Sequence, residues 1–172
     1  MEVRAATIAD LEAVAAVHVR SWQRAYRDLL PDAYLDALSV ERRRDVWGRI
    51  LADTDLPRRG AFVLQQGLDI VGFVHVAPTR DGDLPVSTGE VTALYLVPSA
   101  WGVGGGRQLL DAAKASLTAA GFAAAPLWVL EANLGARRFY ERQGWAPDGA
   151  RKVDDRGDLV LVEVRYSTTL QP

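Results

Sequence analysis

The sequence predicts an α/β fold, a mixed sheet covered by helices on both faces, and three observations carry that prediction. Short runs rich in β-branched residues, "AFVLQQ", "IVGFVHVA", "GEVTALYLV", "PLWVLE" and "LVLVEVRY", read as strands. Around them apolar residues recur with helical spacing, as at Leu110, Ala113 and Leu117. A strand, a helix and a further strand follow one another between Glu90 and Glu131, the pattern of a parallel β–α–β crossover, while the other strands lie close enough in sequence to pair mostly antiparallel.

The elements follow in order. "VRAAT" is the first strand. Thr7 with Asp10 makes a capping pattern before a helix whose Leu11, Val14, Ala15 and His18 share one face. Pro31 and Ser39 punctuate a second helical region, striped by Val46, Trp47, Ile50 and Leu51. "AFVLQQ" and "IVGFVHVA", split by "GLD", suggest a hairpin, and the turn-rich "PTRDGDLPVSTG" leads to the next strand. A helix from Gly106 stops at Gly121, "PLWVLE" is a buried strand, and Asn133 caps a helix through "LGARRFYERQ" that Gly144 ends. "LVLVEVRY" belongs to a terminal hairpin.

Composition narrows the classes. A chain of 172 residues with 49% apolar content is expected to form a single domain, residues 1–172. The absence of cysteine excludes disulfides, thiolate metal sites and a cysteine nucleophile, and agrees with a reducing cytoplasm. A net charge of −2 leaves no electrostatic footprint for nucleic acid, and neither a leader pattern nor a run of about 18 apolar residues points to a membrane. The expectation is a cytoplasmic protein without a metal centre. His18 and His75, far apart in sequence, are read as structural.

The stretch "YLVPSAWGVGGGRQLL" carries the chemistry. Gly102, Gly104, Gly105 and Gly106 crowd the entrance of a helix, although each glycine inside regular structure costs about 0.5–1 kcal/mol. A helix N-terminus leaves about four backbone N–H groups unpaired and concentrates roughly half a positive charge, so without side chains in the way it binds a phosphate. The loop is no P-loop, because Arg107 and Gln108 stand where Lys and Ser or Thr are required. It is no dinucleotide fingerprint either, since Arg107 replaces the third glycine and several strands precede it.

Together with "LWVLEANLGARRFYERQGW", this segment resembles the acyl-CoA-binding motif and second signature of the GNAT superfamily of N-acetyltransferases. The family pattern, Arg/Gln-x-x-Gly-x-Gly/Ala opening a helix, falls on Trp101 to Gly106, with Trp101 in place of the usual Arg or Gln. The resemblance implies a GNAT-like sheet whose parallel strands splay apart to hold acetyl-CoA as co-substrate. It implies pyrophosphate binding at Gly102, Val103, Gly104, Gly105, Gly106 and Arg107, pantetheine pairing with main-chain groups of Leu94, Leu96 and Val97, and a contact from Asn133. Trp101 is read first as a surface-packing aromatic, with a place over the loop or against the nucleotide as the alternative.

The implied reaction is acetyl transfer to a primary amine, of a small molecule, peptide or protein, by direct attack in a ternary complex. Tyr140 matches the family's tyrosine, and a phenol of pKa about 10 is protonated at neutral pH and able to donate to a departing thiolate. Glu90, eleven residues before Trp101, matches the base of the histone-acetyltransferase branch; a solvated strand start is its plain alternative. Trp22 and Tyr26, four apart on one helical face, are candidates for the acceptor pocket or for core packing. The rival functions are a non-catalytic acyl-CoA-binding module of the same fold and a domain that uses the loop for ATP. The chain is expected as a monomer or homodimer.

Overall fold

The structure is a computed structural model and describes residues 1–155, 157 and 159–171. Its strands are β1 (Glu2–Ala5), β2 (Gly60–Gln66), β3 (Asp69–Pro78), β4 (Gly89–Leu96), β5 (Ala124–Leu130), β6 (Ala146–Asp155) and β7 (Val160–Thr169). Its helices are α1 (Leu11–Ala25), the short α2 (Asp32–Asp36), α3 (Val40–Ala52), α4 (Gly105–Ala119) and α5 (Leu134–Arg142). The strands form two antiparallel sheets, one ordered β1-β2-β3-β4 and the other β5-β7-β6. The predicted crossover is present: β4, α4 and β5 follow one another, and a parallel bridge joins Thr88 to Ala124. Beyond that bridge the two strands belong to separate sheets.

Strand alternation distributes the core over both faces of the first sheet. Phe73 and Val63 pack with Val14, Val17 and Trp47 from α1 and α3. Val74, Val76 and Val91 point the other way, onto Leu109, Leu110, Ala113 and Leu117 of α4. In the second sheet β7 lies between β5 and β6, so the terminal hairpin attaches to β5 by its second arm. Tyr166 on β7 donates to Glu141 and accepts from Arg137, which ties that sheet to α5.

Local signals act where the sequence places them. Ser39 caps α3 by accepting from the Arg42 N–H, and Asn133 caps α5 by accepting from Ala136. The Thr7–Asp10 pair opens a 3₁₀ turn, Ile8–Asp10, that runs into α1: the Thr7 N–H donates to the Asp10 carboxylate, which also holds Arg4 of β1 through two bonds of 2.7 and 2.9 Å. These partners, led by Arg4, hold the Asp10 carboxyl down at about 2.

The folded value lies below that of the unfolded chain, so the stabilisation is fully present above about pH 4 and is lost as the pH falls through about 2. Asp10→Asn is therefore expected to lower stability at pH 7 by about 1–2 kcal/mol. Denaturant titrations should show the gap between variant and wild type closing as the pH drops from 5 towards 2; a gap independent of pH would contradict the assignment.

Candidate active site

The parting of β4 from β5 leaves one strand edge without a neighbour. Antiparallel residues alternate in the direction of their N–H and C=O groups. Val97 donates to the Val71 carbonyl at 2.9 Å, and Tyr95 is registered with Phe73, so these two residues face β3. Leu94 and Leu96 then direct their main-chain groups into the gap. The sequence expectation that Val97 shares this role is corrected: its N–H is committed to β3, and it does not line the cleft. Thr92 is an extra residue in the β3–β4 register, a bulge the sequence did not announce, and its hydroxyl lies 2.5 Å from His75 Nδ1.

The gap widens into a cleft of about 900 Å³. At one end sits the glycine loop, and its glycines serve different needs. Gly102 (φ 74°) and Gly104 (φ 90°) adopt left-handed conformations with open space around them. At Gly105 a Cβ would stand 2.5 Å from Leu64 Cδ2, and at Gly106 3.0 Å from the Phe139 ring, so these two let the start of α4 approach the sheet and α5. The first N–H groups of α4 have no intrahelical acceptor, and its first turn carries no acidic residue. Gly102, Gly104, Gly106 and Arg107 line the cleft; Val103 is exposed and Gly105 buried, and neither does.

Arg107 stays exposed, 3.6 Å from Asp111 one turn on. Trp101, 43% exposed, both lies on the surface and covers the loop's base: its indole N–H donates to the Leu96 carbonyl at 2.8 Å. This geometry fits an anionic group followed by an extended, amide-bearing arm. Donors face the anion, and a strand edge continues from them that no neighbouring strand pairs, its Leu96 carbonyl taken by Trp101.

Tyr140 lies where α5 meets the cleft, packed near Phe139 and Trp145 with centroid separations of 5.3 and 6.4 Å. It belongs to the main core and still lines the cleft, so its packing in the core does not remove it from the cleft. Burial, with a smaller contribution from Tyr95, pushes its phenol well above the ordinary value and keeps the proton in place at neutral pH. Asn133 caps α5 and lines the cleft as well.

Glu90 is no solvated strand start. It is 3% exposed, lines the cleft, and accepts from the Arg80 backbone at 3.3 Å and the Arg80 guanidinium at 3.2 Å. Trp22 and Tyr26 meet edge to face at 4.9 Å; they pack on the small core around Leu35 and Leu161 and also line the cleft. Burial raises the Tyr26 phenol well above its usual value, with a hydrogen bond from Asn133 pulling the other way. His18 and His75 are buried, and desolvation lowers them to about 3 and about 4, so both are neutral. His18 accepts from the Trp47 indole at 3.1 Å.

Sequence reasoning missed the wall that the second sheet contributes. Trp128 on β5 is registered with Arg165 on β7, and Leu130 with Glu163, so these four side chains share one face. Arg165 is buried among Asp81, Asp83 and Asp148 at 2.7 to 3.1 Å, and the Trp128 indole also donates to Asp81. The β3–β4 connection is thereby fastened across the split. A signal was available in "LVLVEVRY": Leu161, Glu163 and Arg165 alternate onto one face of an apolar strand, a pattern that demands buried partners.

The sequence and the fold match known proteins. Residues 19–145 match the family described as acetyltransferase (GNAT) family. An uncharacterized N-acetyltransferase, YuaI, from Bacillus subtilis (strain 168) is 33% identical over 165 residues, 95% of this chain and 88% of that protein. Among solved structures, PaiA N-acetyltransferase from Thermoplasma acidophilum in complex with coenzyme A superposes with a TM-score of 0.71 at 21% identity, covering 98% of each chain. YncA, a putative acetyltransferase from Salmonella typhimurium with its cofactor acetyl-CoA, gives 0.73 at 16% identity over 100% of this chain and 95% of the other.

The chain belongs to the GNAT family of acetyltransferases. It is an N-acetyltransferase that uses acetyl-CoA. Among the described residues no helix is long and apolar enough to cross a membrane, and no group of three or more His, Cys, Asp or Glu is arranged to hold a metal.

The packing of the loop is testable apart from catalysis. Gly105→Ala forces a methyl group against buried Leu64 and half-buried Leu96 and is expected to destabilise the fold by about 1–3 kcal/mol, measured by denaturant titration. A variant as stable as wild type would show that the helix start is not seated this closely.

Proposed function

We propose that the enzyme transfers acetyl to a primary amine by direct attack while both substrates are bound, with Tyr140 giving a proton to the departing thiolate and Glu90 receiving the amine's proton. The observation that carries this reading is the convergence on one cleft of the side-chain-free α4 N-terminus, the open β4 edge at Leu94 and Leu96, and the Tyr140 phenol. Acetyl-CoA supplies the acetyl thioester. In this reading, backbone N–H groups around Gly102 to Arg107 hold its pyrophosphate, and the β4 edge with Asn133 orients the arm, so positioning precedes chemistry.

The chain contains no cysteine to carry acetyl on a thiolate, which favours direct transfer. The amine nitrogen bonds to the acetyl carbon as the carbon–sulfur bond breaks. Tyr140 protonates the sulfur and is itself reprotonated from solvent. A lysine-like amine, pKa about 10.4, must first lose a proton, at about 4–5 kcal/mol at pH 7. Leaving the proton on a carboxylate would be uphill by about 8 kcal/mol by any path, so Glu90, ion-paired with Arg80, receives it only in passing and hands it through water to bulk solvent.

The test is turnover by Tyr140→Phe, which keeps the ring and its packing but removes the phenolic proton. With a panel of primary amines and a free-thiol assay, kcat is expected to fall by roughly ten- to a thousandfold with acetyl-CoA affinity nearly unchanged. The loss should shrink with an acyl donor whose thiol is more acidic. A folded variant with wild-type kcat would remove Tyr140 from the reaction.

A further inference from the structure

The wall contributed by β7 contains a carboxylate with a distinctive setting. Glu163 lines the cleft, 26% exposed, and is registered with Leu130 on one side and Lys152 on the other. The other acidic groups of this wall are consumed: Asp81, Asp83 and Asp148 surround Arg165, while Glu90 holds Arg80. Glu163 has one ionic partner among the described residues, the Lys152 ammonium at 3.1 Å. That ammonium also lies 4.2 Å from the centroid of the Trp128 ring, so a carboxylate and an aromatic face together hold a primary ammonium inside the cleft lining. Lys152 itself is 46% exposed, on the outer strand of the sheet, and its long stem can swing out into water. Trp22, Tyr26 and Tyr95 line the same cleft, and Glu163 is near enough to help raise the phenols of both tyrosines.

We propose that Glu163 and the face of Trp128 form the anchoring site for the acceptor's ammonium, that Lys152 occupies this site as an internal stand-in until the acceptor displaces it, and that the acceptor is a primary ammonium on an apolar stem. The inference rests on the reading of the cleft as an amine acetyltransferase site and adds the class of amine. The carboxylate supplies the charge, and the aromatic walls of Trp22, Tyr26 and Tyr95 accommodate the stem. Glu163 holds the amine before it is deprotonated; it is a binding residue, and the proton transfers remain with Glu90 and Tyr140.

Calorimetric titration of the CoA-saturated enzyme at pH 7 with phenethylamine, and with its neutral counterpart 2-phenylethanol, tests this without requiring turnover. Wild type is expected to bind the ammonium at least tenfold more tightly than the alcohol. Glu163→Gln should abolish that preference, whereas Lys152→Met, at an exposed position, should tighten ammonium binding several-fold by removing the internal competitor. An ion pair that merely braces the hairpin would instead make both variants equally defective. Equal affinity of wild type for the two probes, a preference that survives Glu163→Gln, or weaker ammonium binding by Lys152→Met would each overturn the proposal. If binding behaves as expected but no amine is acetylated, the catalytic reading fails and the ammonium site stands; if amines are acetylated and the preference is missing, the reverse holds.

Discussion

The single parallel bridge between Thr88 and Ala124 is the constraint on which the rest of the molecule depends. A continuous ladder between β4 and β5 would pair the main-chain groups of Leu94 and Leu96 and close the cleft. Because pairing stops at that bridge, backbone polar groups are left facing a gap, a condition that proteins tolerate only where water or a ligand can satisfy them. The same parting aims the start of α4 at the mouth of the gap, where Gly104 turns through a left-handed conformation and Gly105 seats the helix against Leu64. In the proposed reading, where the cofactor binds is thus a consequence of how two strands fail to pair.

Something must hold the sheets at a fixed separation where the ladder does not. Arg165 does this from β7: its guanidinium binds Asp81 and Asp83 of the β3–β4 connection and Asp148 of β6, while Trp128 on β5 donates to Asp81. A buried guanidinium is costly to desolvate, and three carboxylates with matched hydrogen bonds offset that cost; in return the guanidinium draws the Asp83 carboxyl below its ordinary value, and against the opposing effect of burial the Ala150 N–H, with Arg165, does the same for Asp148. The clasp lies on the face that carries Glu163, so the element that fixes the split also shapes the wall proposed to bind the acceptor.

Much of this was legible in the sequence because it depends on local rules. Asn133 caps the helix it was expected to cap, Ser39, read as punctuation, caps α3, the Thr7–Asp10 pattern falls on a 3₁₀ turn that leads into the expected helix, and glycine crowding before "RQLL" announced the helix start that faces the cleft. Val97 was misjudged because its N–H direction depends on register parity with β3, a non-local property to which apolar patterning is blind. The insertion of β7 between β5 and β6 was equally hidden, since either arm of a hairpin can pair with a neighbour. Strand β6, "APDGARKVDD", has almost no apolar face to reveal it. Glu90 was legible as a candidate only through the position that the family resemblance implies; its burial beside Arg80 required the connection to fold back over the sheet.

Amide hydrogen exchange read residue by residue measures the central claim most directly. On saturation with acetyl-CoA, the amides of Leu94 and Leu96 on the open edge of β4 should become strongly protected, together with those of Gly105 and Gly106 at the α4 entrance, while Tyr95 and Val97, already paired with β3, should change little. ATP, which carries phosphates but no pantetheine arm, should leave Leu94 and Leu96 unprotected. Leu94 and Leu96 amides as slow to exchange in the free protein as those of Tyr95 and Val97, or unchanged by acetyl-CoA, would contradict the account.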